Sequence, residues 1–378
     1  MNTEQLVSRV LDPDWLSDQA GRSVRAARLR IKPRTSLVVG LDDAAGHPVG
    51  WLRFLWPISH NKAARTSQEA GELGVETSEH ELGELLVQTG PLPADPKLLT
   101  RIAAATASGK LGGWEASQVL RYNPLRRVVV RDGMRVVRVA TSRDRGVAFD
   151  RFMAGVVETP RRLDDGTLDG VSVHAFTGDL DLADLLDGNP PGVDRDPVHG
   201  ASDPVCAAGA MLARLHAAEV PGDLARSLAA RTADPVAQGL AHAALLDELA
   251  PDLAERMRRV AAELPGVASA MPVLSHGDLS PDQVLTTHDG DTVWLTDFDR
   301  ACLAPRAVDL GSFLAVLDDA AFLNGYRDGG GQVPPEDQLR RAVAASLILR
   351  AADPLRRACR DWKQQVSANL DRIREVAT

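Results

Sequence analysis

The sequence has little that would tie a chain together by covalent links or metal. Its three cysteines, Cys206, Cys302 and Cys359, are scattered through 378 residues and fit no metal-ligand spacing. So sparse and odd a set excludes a disulfide framework and reads as reduced thiols that fill apolar space. No apolar stretch approaches the roughly 18 residues needed to cross a bilayer, which argues against a spanning helix and a membrane partner. Residues 1–19 lack a basic start followed by an apolar run, so no secretory leader is expected and a cytoplasmic location is. Positive charge is also short. The formal net charge is −9, which weighs against nucleic acid as a partner, because phosphate binding needs a basic face.

What is present is ordinary for a globular protein. Hydrophobic residues make up 44% and charged residues 25%, and the length suits two or three domains. A first unit over residues 1–112 opens with a helix. A hairpin-like pair follows, Ser36–Leu41 and Val49–Trp56, then a polar stretch, the apolar run Leu85–Gln88 and a helix over Asp95–Thr106. Residues 113–178 are strand-rich, with β-branched runs at Val128–Val130, Arg135–Ala140 and Val171–Phe176 and a helical segment near Val147–Val157. Residues 179–378 carry apolar residues at helical spacing in Ala207–Ala218, Ala237–Leu249, Leu253–Leu264, Leu339–Ala352 and Trp362–Val376. The expected class is α+β, a strand-rich small lobe before a helical large lobe, with a cleft between them. One echo crosses the first boundary. Leu29-Arg30-Ile31-Lys32-Pro33 before Leu37-Val38-Val39 resembles Leu120-Arg121-Tyr122-Asn123-Pro124 before Val128-Val129-Val130 at the same offset. A duplicated strand and a chance likeness are both open.

The chemistry concentrates in His276-Gly277-Asp278-Leu279-Ser280-Pro281-Asp282-Gln283 and in Thr296-Asp297-Phe298-Asp299. Phosphoryl transfer asks for a carboxylate near the attacking hydroxyl and oxygen ligands that hold Mg²⁺ on nucleotide phosphates. Asp278 in a tight loop, the amide of Gln283 and the carboxylate of Asp297 can supply that set. Val284-Leu285 and Val293–Leu295 read as a hairpin turning at 288–291, which brings Gln283 and Asp297 to one end.

With that spacing the chain resembles the aminoglycoside-phosphotransferase and choline-kinase-like superfamily, which has a protein-kinase-like fold. His276-Gly277-Asp278, Asp297-Phe298, Asp309-Leu310-Gly311 and the helix Gly209–His216 carry the resemblance, over about residues 114–378. It implies an ATP- and Mg²⁺-dependent kinase acting on a hydroxyl of a small molecule. It further implies Asp278 as the catalytic carboxylate, Gln283 and Asp297 as metal ligands, and Asp309 as the brace of the catalytic loop. His276 is then a structural histidine. Asp299 is either a supporting acid or a surface residue. The backbone at His174 and Phe176 lies where adenine would be met. Two departures stand out. The family's usual Asn is Gln283 here, as in maltokinases and bacterial glucosamine kinases, which also carry an N-terminal cap; this implies a sugar or amino-sugar acceptor and a cap at 1–112. The strand that should present a lysine to ATP offers Arg138, with Asp150 or Glu158 as its expected acidic partner. An aminoglycoside-type antibiotic is an alternative acceptor, and a nucleotide-binding module without turnover is an alternative role. Ser108-Gly109-Lys110-Leu111 lacks the hydroxyl and the upstream glycine of a phosphate loop.

Overall fold

The computed structural model describes residues 1–114, 118–187, 203–228, 233–264, 266, 271–290 and 292–377. Of the expected turn at 288–291, Asp291 lies outside these residues. Two short helices open the chain, α1 (Thr3–Val10) and α2 (Pro13–Ala20). Asn2 and Gln5 cap α1 reciprocally, and Asp12 caps α2 just before Pro13. Then come β1 (Arg25–Lys32), β2 (Ser36–Asp42), β3 (Pro48–Leu55), α3 (Asn61–Glu72), β4 (Ser78–Leu82) and β5 (Leu85–Gly90). The five strands pair antiparallel in the order β1-β2-β3-β5-β4. α4 (Leu99–Ala107) leads out of this sheet.

The sequence reads the stretch after β3 only as polar, yet it contains α3. That helix buries just Ala63, Thr66 and Ala70, so it has no apolar stripe to recognise. Polar contacts fasten it instead. Buried Arg53 donates to the Lys62 carbonyl at 2.7 Å and to the Thr66 hydroxyl at 2.9 Å, and buried Gln88 donates to the Ala63 carbonyl at 3.1 Å.

A second sheet uses β6 (Gln118–Asn123), β7 (Arg127–Asp132), β8 (Arg135–Ala140) and, after α5 (Val147–Ala154), β9 (Val171–Ala175). Its order is β6-β7-β8-β9, and a bridge from Arg162 to His174 extends it past β9. Each sheet therefore has three meandering strands, then a helix, then a pair in which the later strand sits inside. The echo in sequence falls on this common plan. Arg34 and Leu125, at matching places, both adopt left-handed backbone, with φ of 51° and 60°. The next residues, Thr35 and Arg126, donate N–H to Lys32 and Asn123 carbonyls, both at 3.0 Å. Their own carbonyls accept from Trp56 at 3.2 Å and from Thr141 at 2.8 Å. Agreement in topology, turn conformation and hydrogen bonding favours duplication over chance.

The rest of the chain is mainly helical. After β10 (Leu180–Asp181) and α6 (Leu182–Asp187) come α7 (Pro204–Ala217), α8 (Gly222–Leu228), α9 (Pro235–Leu246) and α10 (Pro251–Glu263). Four short strands follow: β11 (Val273–Ser275), β12 (Val284–Thr286), β13 (Val293–Leu295) and β14 (Cys302–Ala304). The chain ends with α11 (Ala307–Leu314), α12 (Ala320–Asp328), α13 (Glu336–Arg350), α14 (Asp353–Arg356) and α15 (Trp362–Ala377). α7 and α12 touch backbone to backbone. A methyl group on Gly325 would lie 1.9 Å from the Cys206 carbonyl oxygen, and one on Gly209 2.1 Å from that of Phe322. This approach delivers Tyr326 to His216.

Three apolar clusters hold these layers. One joins α1, α2 and a face of the first sheet to α9, α10, α13 and α15. A second packs α5, α7, α11 and α12 around β11, β12 and β13. A third lines the second sheet with α4 and Trp51. Among the described residues no helix is long and apolar enough to cross a membrane.

Candidate active site

β11 runs antiparallel to β14, and the chain then turns sharply at His276-Gly277-Asp278. Gly277 has φ +82°, and a Cβ there would meet the Arg300 carbonyl oxygen at 2.2 Å, so only glycine fits without displacement. Asp309, in the first turn of α11, is fully buried beneath this turn. It accepts the backbone N–H of His276 at 2.6 Å and that of Gly277 at 2.7 Å. His216 Nε2 donates to it at 3.2 Å, while His216 Nδ1 accepts from the Tyr326 hydroxyl at 2.8 Å. Burial alone would raise the Asp309 carboxyl. The hydrogen bonds from His216 and from the Gly277 N–H outweigh it and hold the group below the ordinary carboxylate value. Burial pushes the Tyr326 phenol up to about 12, so it remains a donor.

The same turn is tied to the second acidic segment. His276 Nε2 donates to the Thr296 carbonyl at 2.8 Å, and its ring lies 4.8 Å from that of Phe298. β12 and β13 pair with Val284 opposite Leu295, and Thr296 donates its N–H to the Gln283 carbonyl at 3.0 Å. Gln283, nearly buried, and Asp297 therefore meet at one hairpin end. Asp297 has φ 61° and ψ 49°, a left-handed conformation that costs a non-glycine residue about 1–2 kcal/mol.

Arginines dominate the surroundings. Asp278 Oδ1 accepts from Arg350 at 3.0 Å, and Arg300 lies 3.6 Å from its Oδ2. Arg350, the last residue of α13, also donates to Ser312 at 3.0 Å. Across the cleft, Arg127 of β7 donates to Asp297 at 2.7 Å, and Arg138 of β8 pairs with Asp299. Burial would raise Asp297, but the charge and hydrogen bond of Arg127, helped by Arg138, hold it below the ordinary value. Asp299 goes the other way: burial and the like charge of Asp297 outweigh Arg138 and raise it. Arg145 adds hydrogen bonds to the Asp299 and Ala301 carbonyls.

The site thus gathers Asp278, Gln283, Asp297, His276, Asp299, Asp309 and Arg138. It also contains Arg127, which sequence reasoning passed over. The β-branched run begins at Val128, yet the strand begins one residue earlier, and its parity puts Arg127 on the face of Val129 and away from buried Val128 and Val130. Neither expected acidic partner reaches Arg138. Asp150 is spent on Arg162 at 2.7 Å, and Glu158 pairs with Arg214. Arg162 is nearly buried among three carboxylates, so it fixes Asp150 away from the cleft. His174 and Phe176 stand apart from the acidic cluster. The His174 ring lies 3.6 Å from Asp150, and the Phe176 ring lies 3.7 Å beneath the Arg131 guanidinium. The N–H groups of Ala175 and Phe176 already bond the Arg161 and Met134 carbonyls, at 2.8 and 2.9 Å. Lys110 is held by Asp165 at 2.7 Å.

The donor set suits a nucleotide with a hard divalent cation. Gln283 and Asp297 offer oxygen donors at one place, and Arg138 keeps a buried Nε–H with no acceptor among the described residues.

A family model described as the phosphotransferase enzyme family matches residues 106–344, more than half of the chain. None of the curated proteins matches. Among solved structures, a choline/ethanolamine kinase family protein from Mesorhizobium loti is similar with a TM-score of 0.51 at 16% identity, over 74% of this chain and 93% of that one. The spectinomycin phosphotransferase APH(9)-Ia, solved with ADP and spectinomycin, gives 0.46 at 12% identity, over 69% and 92%. The choline kinase LicA from Streptococcus pneumoniae gives 0.45 at 13%, over 74% and 98%. At these identities the first likeness is one of fold, the two-lobed α+β fold expected from the sequence.

Proposed function

The chain belongs to the phosphotransferase enzyme family, and from that premise we propose that it transfers the γ-phosphoryl group of ATP to a hydroxyl of a small, sugar-like acceptor. Residues 1–112 serve as a cap, 113–178 as the small lobe and 179–378 as the large lobe. Asp278 orients the acceptor hydroxyl and takes its proton as the oxygen bonds to phosphorus and the bond to ADP breaks. Gln283 and Asp297 would hold Mg²⁺, which would neutralise phosphate charge there. Arg138, in place of the usual lysine, and Arg127 lie against the phosphates. His174 and Phe176 border adenine through backbone other than the N–H groups already used in the sheet.

The observation that supports this reading best is the single frame around Asp309. It fixes the turn before Asp278 through two N–H groups, and His276 carries that frame on to the strand end beside Asp297. The test is ADP release with Mg²⁺ and ATP, for the wild type and Asp278→Asn. The variant is expected to keep its melting temperature and to lose activity by roughly a thousandfold or more. Activity within tenfold of the wild type sinks the mechanism. Arg127 on Asp297 supports a second reading, a nucleotide-binding module whose metal ligand stays occupied. In that case ATP raises the melting temperature and no acceptor releases ADP.

A further inference from the structure

The acceptor side of the site carries more positive charge than a neutral sugar needs. A cavity of about 1110 Å³ opens between the first sheet, β6, the turn after Asp278 and the helices α13 to α15. Arg350, which donates to Asp278, is in its wall, as are Ser280 and Asp282. The cavity therefore reaches the arginine that holds Asp278 and the turn just after it, and its size suits a small ligand. Six arginines line it: Arg25, Arg28, Arg121, Arg350, Arg357 and Arg372. Only three carboxylates do, and two have partners already. Asp282 accepts from Arg121 at 3.3 Å, and Asp353 accepts from Arg356 at 3.2 Å. The wall is thus cationic in a chain whose formal net charge is −9.

Arg28 and Arg357 carry this contrast. No carboxylate of the described residues lies within ion-pairing distance of either. Burial lowers the Arg28 guanidinium from its ordinary value, and the like charges of Arg121 and Arg357 lower it further. The carboxylates of Asp353 and Asp282 oppose this only from beyond ion-pairing distance, and an anion held beside Arg28 would offset the repulsion more strongly. Backbone geometry points the same way. β1 breaks register between Ala26 and Arg28, and β6 breaks register between Val119 and Arg121. An extra residue in a strand re-aims the side chains after it. Each sheet thus has an irregularity just before the arginine it presents to the cavity. In β1 the extra residue also places Arg25 and Arg28 on one face.

We propose that the acceptor is an anionic polyol, a sugar-like molecule bearing a phosphate or carboxylate, whose charged group is held by Arg28, Arg121 and Arg357 while a hydroxyl faces Asp278. This rests on the phosphotransferase reading. It sets the site apart from one built for a polycationic antibiotic, which these arginines would repel.

The experiment compares ADP release on hexose phosphates, hexuronic acids, the matching neutral hexoses, amino sugars and aminoglycosides, for wild type, Arg28→Gln and Arg357→Gln. The anionic acceptors should exceed their neutral counterparts in kcat/KM by a hundredfold or more. Both variants should raise KM for the anionic acceptor at least tenfold with little change in kcat. Preference for hexose phosphates names phosphate as the bound group, and preference for hexuronic acids names carboxylate. A neutral or cationic acceptor with the highest kcat/KM overturns the proposal, as does an anionic acceptor indifferent to both variants. If nothing on the panel releases ADP, the phosphotransferase reading fails by itself. The anion site is then read from the melting temperature with hexose 6-phosphate and with glucuronate. A rise in the wild type that both variants lose supports the site, and no rise overturns it.

Discussion

Replacing Asp309 by Asn tests whether one buried carboxylate sets the geometry of the proposed catalytic turn. The amide can still accept from His276 and His216, but its NH2 then faces the Gly277 N–H, now 2.7 Å from a carboxylate oxygen. A buried donor left without an acceptor costs about 1–3 kcal/mol, and two remaining hydrogen bonds lose their charge assistance at roughly 0.5 kcal/mol each. The expected total is about 3 kcal/mol. Unfolding entropy of roughly 2.1 cal/mol/K per residue gives a chain of 378 residues a value of about 0.8 kcal/mol/K. The melting temperature should therefore fall by about 4 °C in scanning calorimetry. Because a shift of about 1 Å in reacting groups can reduce rate a hundredfold, kcat should fall by that order while ATP still stabilises the variant. The pH dependence adds a check. The native Asp309 carboxyl lies below its ordinary value, so its contribution is complete above the unfolded pKa of about 3.9 and disappears as pH falls through the lower native value. The gap between wild type and variant should be level from neutrality to about pH 4 and close below it. A variant within 1 °C and within twofold in kcat, or a gap that widens in acid, refutes the reasoning.

Gly277→Ala should act on the same turn from the other side. Its methyl group would clash with the Arg300 carbonyl oxygen, and the residue would need φ +82°. A loss of about 2–4 kcal/mol is expected, visible as a melting temperature roughly 3–5 °C lower together with a lower kcat; wild-type values for both would show that the clash is relieved. Burial, with the charge of Arg356, pushes fully buried His242 down to about 4. The unfolded histidine gains its proton near pH 6.5 and the native one does not, so stability should decline by about 3 kcal/mol as pH drops from 6.5 to 4. His242→Leu should flatten that decline in urea midpoints, and an unchanged slope would contradict it.

The sequence was most readable where side-chain chemistry and strand pattern coincided. The β12–β13 hairpin follows from two short apolar runs and a turn, and its register puts Gln283 beside Asp297. α3 escaped notice because its buried face is built from small residues, with the polar groups of Arg53 and Gln88 beneath it. β11 and β14 are three residues each, too short for alternation to register. Arg127 was lost for a different reason. A run of valines marks a strand without marking its start, so the parity that aims Arg127 at Asp297 is visible only once the register with β8 is known. The misplaced expectation for Asp150 shows the limit of local reading. Its partner Arg162 comes from an irregular segment outside the named strands, which pairs with β9 only through an isolated bridge and a few backbone hydrogen bonds.

The first cluster of apolar side chains has a consequence in time. Leu6, Val10 and Leu16, near the start of the chain, share it with Leu370 and Ile373, near its end. During synthesis the opening helices emerge long before the helix that covers them. At about 5–20 residues per second, roughly 20–70 s pass before the last part of their cover is made. A chain built in this way completes its first core only when its last helix is made, so part of that core stays open to unwanted contacts until translation ends.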